Sequence, residues 1–139
     1  MNVKVHELMT RSVFTTERHK SIQHVRELME SHRIGAIPVV DGEGRPIGIV
    51  SSTDLVPESK SGAPVSTIMS ENVYSVPEYD DASVAARIMR NHRIHHLVVT
   101  HEQKVVGFLS SFDLLALVEN HRFVAKNPPT APGRPPKRT

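Results

Sequence analysis

Two short stretches of this chain carry residues that could do chemistry at a defined spacing. Gly48-Ile49-Val50-Ser51-Ser52-Thr53-Asp54 and Gly107-Phe108-Leu109-Ser110-Ser111-Phe112-Asp113 both read Gly-apolar-apolar-Ser-x-x-Asp. A strand would deliver the Ser at its end and place the Asp in the first turn of the next helix. Free amide N–H groups at a helix start suit phosphate, and a Ser hydroxyl there adds a further bond. An ionised Asp carboxylate accepts hydrogen bonds only and suits a ribose diol. Ser-x-x-Asp is also close to a capping box, in which the same two side chains merely close the helix end. Both readings stand for one copy. Two copies at equivalent positions favour a ligand, because the linker between them diverged while these residues did not.

Other candidates are weaker. His92-x-x-His95-His96 has a spacing that could ligate zinc or nickel. No Glu completes a His-Glu-x-x-His pattern, however, and Ile94 opens a turn into a strand, so no metal is expected. His32 and His92 read as helix-end residues favoured by the helix dipole. Gly42-x-Gly44 lacks the strand-to-helix setting of a dinucleotide loop and reads as a hairpin turn. Asp80 and Asp81 are adjacent and point apart, which suits a helix cap or solvent. There is no Walker lysine motif, hydrolase elbow, kinase signature or visible nucleophile–base pair, so no enzyme is expected.

The elements that must position these residues repeat. Met9, Val13, Met29, His32-Arg33-Ile34 and Val39 recur 60 residues later, and Gly48 to Leu55 recur as Gly107 to Leu114 after a one-residue deletion; twelve identities fall within about fifty aligned positions. Such a period marks a duplicated unit. Each unit opens on an extended piece, Val13–Thr16 or Val73–Val76. A helix follows, with Ile22, Val25, Leu28 and Met29 forming one apolar stripe and Ala82, Ala85, Ile88 and Met89 forming the other. Ser21 is the expected N-cap of the first helix and Gly35 its expected stop; Asp80 or Asp81 caps the second. A hairpin comes next: Ile37–Val40 and Ile47–Val50 around the turn at residues 41–44, then Leu97–Val99 and Val105–Leu109 around the turn at residues 101–104. A final helix starts near Asp54 or Asp113, blocked in unit one by Pro57 and extended in unit two by Leu114, Leu115, Leu117 and Val118. The expected boundaries are residues 3–60 for unit one and 61–124 for unit two. Each unit alone would be marginal, and two packed together can bury a shared core.

Composition limits the function further. The 139 residues hold no Cys and no Trp, only 4% aromatics, and 38% hydrophobic residues. Disulfides, thiolate metal sites and Cys nucleophiles are excluded. An aromatic platform for single-stranded nucleic acid is not expected. No apolar run reaches the ~20 residues of a membrane span, and the start MNVKVHELMT holds no signal stretch, so a cytoplasmic location is expected. The net charge of +2 resides in the tail: residues 125–139 carry Lys126, Arg134, Lys137 and Arg138 and no acid, leaving the rest at −2. Such a Pro-rich basic tail reads as disordered and solvated.

The stretches LMTRSVFTT, HRIGAIPVV and GIVSSTDL, then IMSENVYSV, HRIHHLVV and GFLSSFDL, resemble a tandem pair of CBS (cystathionine β-synthase) domains over residues 3–120. The resemblance implies an α/β (α+β) fold of two β-α-β-β-α units packed through their sheets as a pseudo-twofold pair. It also implies two clefts for adenine nucleotides and dimerisation into a flat disc. Carried over by position, Asp54 and Asp113 hold ribose, Ser51 and Ser110 face phosphate, and Ile49 and Phe108 border the adenine. The opposing unit adds Ser12, Phe14 and Ile34 to the Asp113 cleft and Asn72, Tyr74 and Ile94 to the Asp54 cleft. Where family members carry a cationic phosphate partner, this chain has Gly35-Ala36 and His95-His96, which implies a weak hold on a triphosphate. The histidine pair leads to a further expectation: the Asp113 cleft binds phosphorylated ligand more tightly, increasingly so as pH falls. The implied function is a regulatory module that binds AMP, ADP, ATP or S-adenosylmethionine, requires no cofactor and forms a homodimer. The alternative is a ligand-free dimerisation or interaction module regulating a separate enzyme or transporter.

Overall fold

The computed structural model describes residues 2–55 and 61–119. Unit one contains β1 (Thr16–Glu17), α1 (Ile22–His32), β2 (Ala36–Val40) and β3 (Pro46–Ser51), followed by a single 3-10 turn at Ser52–Leu55. Unit two contains β4 (Ser75–Pro77), α2 (Ala82–His92), β5 (His96–His101), β6 (Lys104–Ser110) and α3 (Ser111–Glu119). Each unit forms a three-stranded sheet in chain order, its first pair parallel across the helix and its second pair an antiparallel hairpin. The fold is the expected α/β arrangement. Pro57 and the tail at residues 125–139 lie outside the described residues, as does the division between residues 60 and 61.

The helices form as the apolar spacing dictates. Ile22, Val25 and Met29 are buried along α1, and Ala82, Ala85 and Met89 along α2. Ser21 caps α1 by accepting the His24 N–H at 3.0 Å. The stop expected at Gly35 falls two residues earlier. Arg33 and Arg93 adopt left-handed backbone (φ 54° each), and the N–H groups of Ile34 and Ile94 reach back to the carbonyls of Met29 and Met89 at 3.0 Å. This closure satisfies the last carbonyls through the backbone itself and fixes the left-handed residue by hydrogen-bond geometry rather than by the nearest glycine. Likewise the unit-two hairpin turns on Glu102 (φ 51°) and Gln103 (φ 70°), without a glycine.

The two units exchange their leading segments. Val5 and Met9 are buried in the core of unit two, with Val76, Ala85, Met89, Leu97, Val99 and Leu109. Val65 is buried in the core of unit one, with Ile22, Val25, Ile37, Val39 and Val50, and Met69 packs against it. Backbone bonds anchor both exchanges: Ala82 N–H to the Val3 carbonyl (2.8 Å) and Ile22 N–H to the Ala63 carbonyl (2.8 Å). Bridges Thr10–Phe108 and Ile49–Ser70 then tie each segment to the edge of the other unit's hairpin. Neither core is complete without chain from the other half, so the pair folds as one body.

The repeat also exposes one misfit. Thr16 is buried with its hydroxyl unpartnered, whereas the equivalent Val76 is buried and apolar. A buried hydroxyl with no partner costs about 1–3 kcal/mol. Thr16→Val should therefore raise stability by about 1 kcal/mol, read as a higher denaturation midpoint; an unchanged or lower midpoint contradicts it.

Candidate functional site

Two clefts open between the units, each built on one Ser-x-x-Asp motif. In the first, β6 ends at Ser110 and α3 begins at the next residue. Ser110 N–H donates to Asp113 Oδ2 (2.8 Å), and Asp113 N–H donates to Ser110 Oγ (3.1 Å). This is the reciprocal cap that the spacing allowed. It commits only one carboxylate oxygen: Oδ1 of Asp113 takes no hydrogen bond among the described residues, and the Ser110 hydroxyl proton is still free to be donated. Phe108 and His96 stand beside the motif, and Ser12, Phe14 and Ile34 face it from the other unit around a cavity of about 270 Å³.

The second cleft is built on Asp54, in the 3-10 turn after β3. Its Oδ2 accepts both the Ser51 N–H (2.8 Å) and the Ser51 hydroxyl (3.1 Å), and Ser51 Oγ also lies 2.9 Å from Thr53 Oγ1. Here the serine is turned inward on its own motif, while Asp54 Oδ1 takes no hydrogen bond among the described residues. Ile49, Asn72, Tyr74 and Ile94 complete the walls of a wider cavity of about 730 Å³. The structure thus gathers every residue expected at each cleft from the Ser-x-x-Asp motifs and from the opposing unit.

The histidine pair is shared between the two clefts. His95 lines the Asp54 cleft, with its Nδ1 3.3 Å from Ser111 Oγ. His96 lines both clefts and stacks on Phe108, ring centroids 5.2 Å apart and planes 9° from parallel. Both imidazoles thus line the Asp54 cleft, and His96 alone also reaches the Asp113 cleft. The two imidazoles therefore do not set the Asp113 cleft apart.

Charge on His96 is also disfavoured. Burial, followed by the nearby His95, holds its pKa below the ordinary 6.5, against a smaller opposing pull from Asp113. Charge on His96, and any attraction for phosphate that comes with it, therefore sets in below the ordinary 6.5. The linkage also runs in the stability: the unfolded chain binds this proton more readily than the folded one. His96's contribution is full above pH ~6.5 and is lost as pH falls through that value toward the lower folded pKa. An NMR titration should place the His96 ring below 6.5, and His96→Ala, which installs the unit-one counterpart Ala36, should flatten the fall in stability between pH 7 and 5. A ring titrating at or above 6.5 contradicts this.

Some cleft contacts were not read from the sequence. Phe14 stacks on His32 (3.8 Å, 21°), and Tyr74 stacks on His92 (4.0 Å, 26°). Each histidine of the repeated His-Arg-Ile triplet thus does more than end its helix: it braces the aromatic wall of a cleft. The signal was present, since Phe14 and Tyr74 share the 60-residue offset of His32 and His92. Thr10 and Pro38 in one cleft and Ser70 and Thr53 in the other left no pattern of their own. Among the described residues lining either cleft there is no Lys or Arg.

Paired α/β units enclosing two acid-bearing clefts between them define a tandem module, with no helix among the described residues long and apolar enough to cross a membrane. The model of the CBS domain matches residues 5–60 and 65–120, and the chain belongs to that family. An uncharacterized protein of Methanocaldococcus jannaschii is 30% identical over 135 residues, which covers 84% of this chain and 32% of that protein. A homoserine O-acetyltransferase of Methanocorpusculum labreanum is 36% identical over 118 residues, covering 83% of this chain and 24% of the enzyme. The chain thus spans a third or less of the length of these two relatives. Among solved structures, a CBS domain pair crystallised with 5′-methylthioadenosine and S-adenosyl-L-methionine superimposes with a TM-score of 0.77 at 24% identity, covering 86% of this chain and 98% of that one.

Proposed function

We propose that this chain is a regulatory module that binds an adenosine-containing ligand between its two units and does no chemistry of its own. The observation that carries the reading is that Oδ1 of both Asp54 and Asp113 takes no hydrogen bond among the described residues. Each is held by a serine cap at the mouth of a cleft whose far wall bears an aromatic ring, Tyr74 or Phe14. Such a carboxylate offers a ribose diol an acceptor, and the apolar wall offers the base a surface. The related CBS pair crystallised with methylthioadenosine and S-adenosylmethionine supports the ligand class. The absence of Lys and Arg among the described lining residues favours ligands of low negative charge: S-adenosylmethionine, methylthioadenosine or AMP ahead of ADP and ATP. The motifs supply no nucleophile–base pair, and the roles of Ile49, Ile94, Ser12, Asn72, His95 and His96 are those of cleft walls.

A second reading has its own support. Both Ser-x-x-Asp motifs already act as caps, and Phe112, Leu115 and Val118 leave an apolar face on α3 that is 79%, 55% and 55% exposed. On that reading the chain is a ligand-free homodimer that regulates a separate enzyme or transporter. Leu114 packs into the unit-two core, so the face left to a partner is narrower than the leucine run suggests. A thermal-shift series with S-adenosylmethionine, methylthioadenosine, AMP, ADP and ATP separates the two readings. A true ligand at 100 times its Kd stabilises by about 2.7 kcal/mol. A flat response to all five supports the second reading.

A further inference from the structure

We propose that the two clefts divide adenosine ligands between them by charge: the Asp54 cleft takes a phosphorylated nucleoside such as AMP, and the Asp113 cleft takes an uncharged one such as methylthioadenosine. The proposal rests on the adenosine reading above and adds which ligand each cleft selects. The motifs themselves do not discriminate. Each cleft holds one Asp on a serine cap, so repulsion of a phosphate by that carboxylate is common to both. The discriminating groups stand around the motifs. His92, His95 and His96 all line the Asp54 cleft, and of the three only His96 lines the Asp113 cleft. His32, the repeat counterpart of His92, stacks on Phe14 and is not among the described residues lining the Asp113 cleft. Gly35 and Ala36, the counterparts of His95 and His96, bring no donor side chain.

A neutral imidazole donates one ring N–H to a phosphate oxygen and needs no charge to do so. The His92 ring is stacked on Tyr74 at 4.0 Å, and its nitrogens make no hydrogen bond among the described residues. His95 approaches Ser111 Oγ through Nδ1 (3.3 Å), which leaves Nε2 for a ligand. Ser52, Ser70 and Asn72 add hydroxyl and amide donors to the same cleft. The Asp113 cleft adds the hydroxyls of Thr10 and Ser12, while Val13, Phe14, Pro38 and Phe108 form its apolar walls. Its one imidazole, His96, is stacked on Phe108. A phosphate there would give up water to apolar side chains and gain few donors, which is costly for a charged group. A nucleoside without phosphate avoids that cost and buries its own apolar surface against the walls. The volumes agree. The Asp54 cleft, at about 730 Å³, lies within the ~300–1,000 Å³ of ordinary ligand sites, and the Asp113 cleft, at about 270 Å³, lies just below that range.

Calorimetry with AMP and methylthioadenosine on single-cleft variants tests this. Asp54→Ala should weaken AMP about ten-fold or more and leave methylthioadenosine unchanged, and Asp113→Ala should do the reverse. His92→Phe/His95→Ala leaves both Asp caps in place, and its phenyl ring can still stack on Tyr74 while offering no donor. This variant should weaken AMP about ten-fold or more and bind methylthioadenosine as the wild-type chain does, which also shows that it is folded. Four results overturn the division while the adenosine reading stands: wild-type binding of one ligand only, loss of both ligands through the same Asp, loss of AMP with Asp113 rather than Asp54, or unchanged AMP affinity in the histidine variant. Failure of the wild-type chain to bind either ligand overturns that reading and the division with it.

Discussion

Gly48→Val is expected to lower the stability of the chain by about 1–3 kcal/mol, several degrees in melting temperature, and to disable the Asp54 cleft as well. A Cβ at Gly48 would collide with Met69 Sδ, lie 3.0 Å from Met69 Cγ and stand 3.2 Å from the Ser70 carbonyl oxygen. The carbonyl cannot retreat freely, because Ser70 and Ile49 exchange both backbone hydrogen bonds at 2.9 Å. Displacing this contact displaces residues 70–74, which carry Asn72 and Tyr74 into the cleft. Gly107 meets Met9 in the same way in unit two, and the Thr10–Phe108 bridge holds the corresponding segment. The glycine of the repeated motif is thus required by the exchanged methionine rather than by its own backbone angles. Denaturant titration checks the effect. With Met69→Ala already in place, Gly48→Ala should cost less than in the wild-type background; a penalty that is the same in both contradicts the collision.

The second large effect concerns ligand. Asp113→Ala should weaken the Asp113 cleft for an adenosine ligand about ten- to a hundred-fold, since a hydrogen bond to a charged acceptor contributes ~1.5–3 kcal/mol. Asp54→Ala should do the same in the other cleft. Part of any loss comes from the cap on Ser110 N–H or Ser51 N–H, which Asp113→Asn or Asp54→Asn keeps while removing the charge. Comparing AMP with 2′-deoxy-AMP isolates the diol. The wild-type chain should prefer AMP clearly, and the Asp→Ala variant should treat the two alike in that cleft. Equal affinity of the wild-type chain for both nucleotides contradicts the role given to the carboxylates.

Local rules made much of this legible in advance. The stripes of α1 and α2 are periodic because burial recurs along a helix face, and Ser21 stands where a cap is needed. Ser51, Asp54, Ser110 and Asp113 were marked by recurring in both halves. What escaped depends on contacts distant in sequence. Val5 and Met9 complete the core of unit two from the far end of the chain, and no local pattern records that. Gly35 misled because Arg33 takes the left-handed position to close backbone bonds that any residue can make. Position in the repeat could not say which cleft His95 and His96 would face, since Gly35, Ala36 and His96 line both. The pairing of Phe14 with His32 and Tyr74 with His92 lay in the repeat itself, as complementary residues at one shared offset.

The claim that the clefts hold adenosine ligands is tested most directly by calorimetric titration of S-adenosylmethionine and AMP into the wild-type chain beside the Asp54→Ala/Asp113→Ala double variant. The wild-type chain should bind at least one of the two saturably, with at most two sites per chain, and the double variant should lose that binding while still unfolding cooperatively. No binding by the wild-type chain, or equal binding by the folded double variant, contradicts the account.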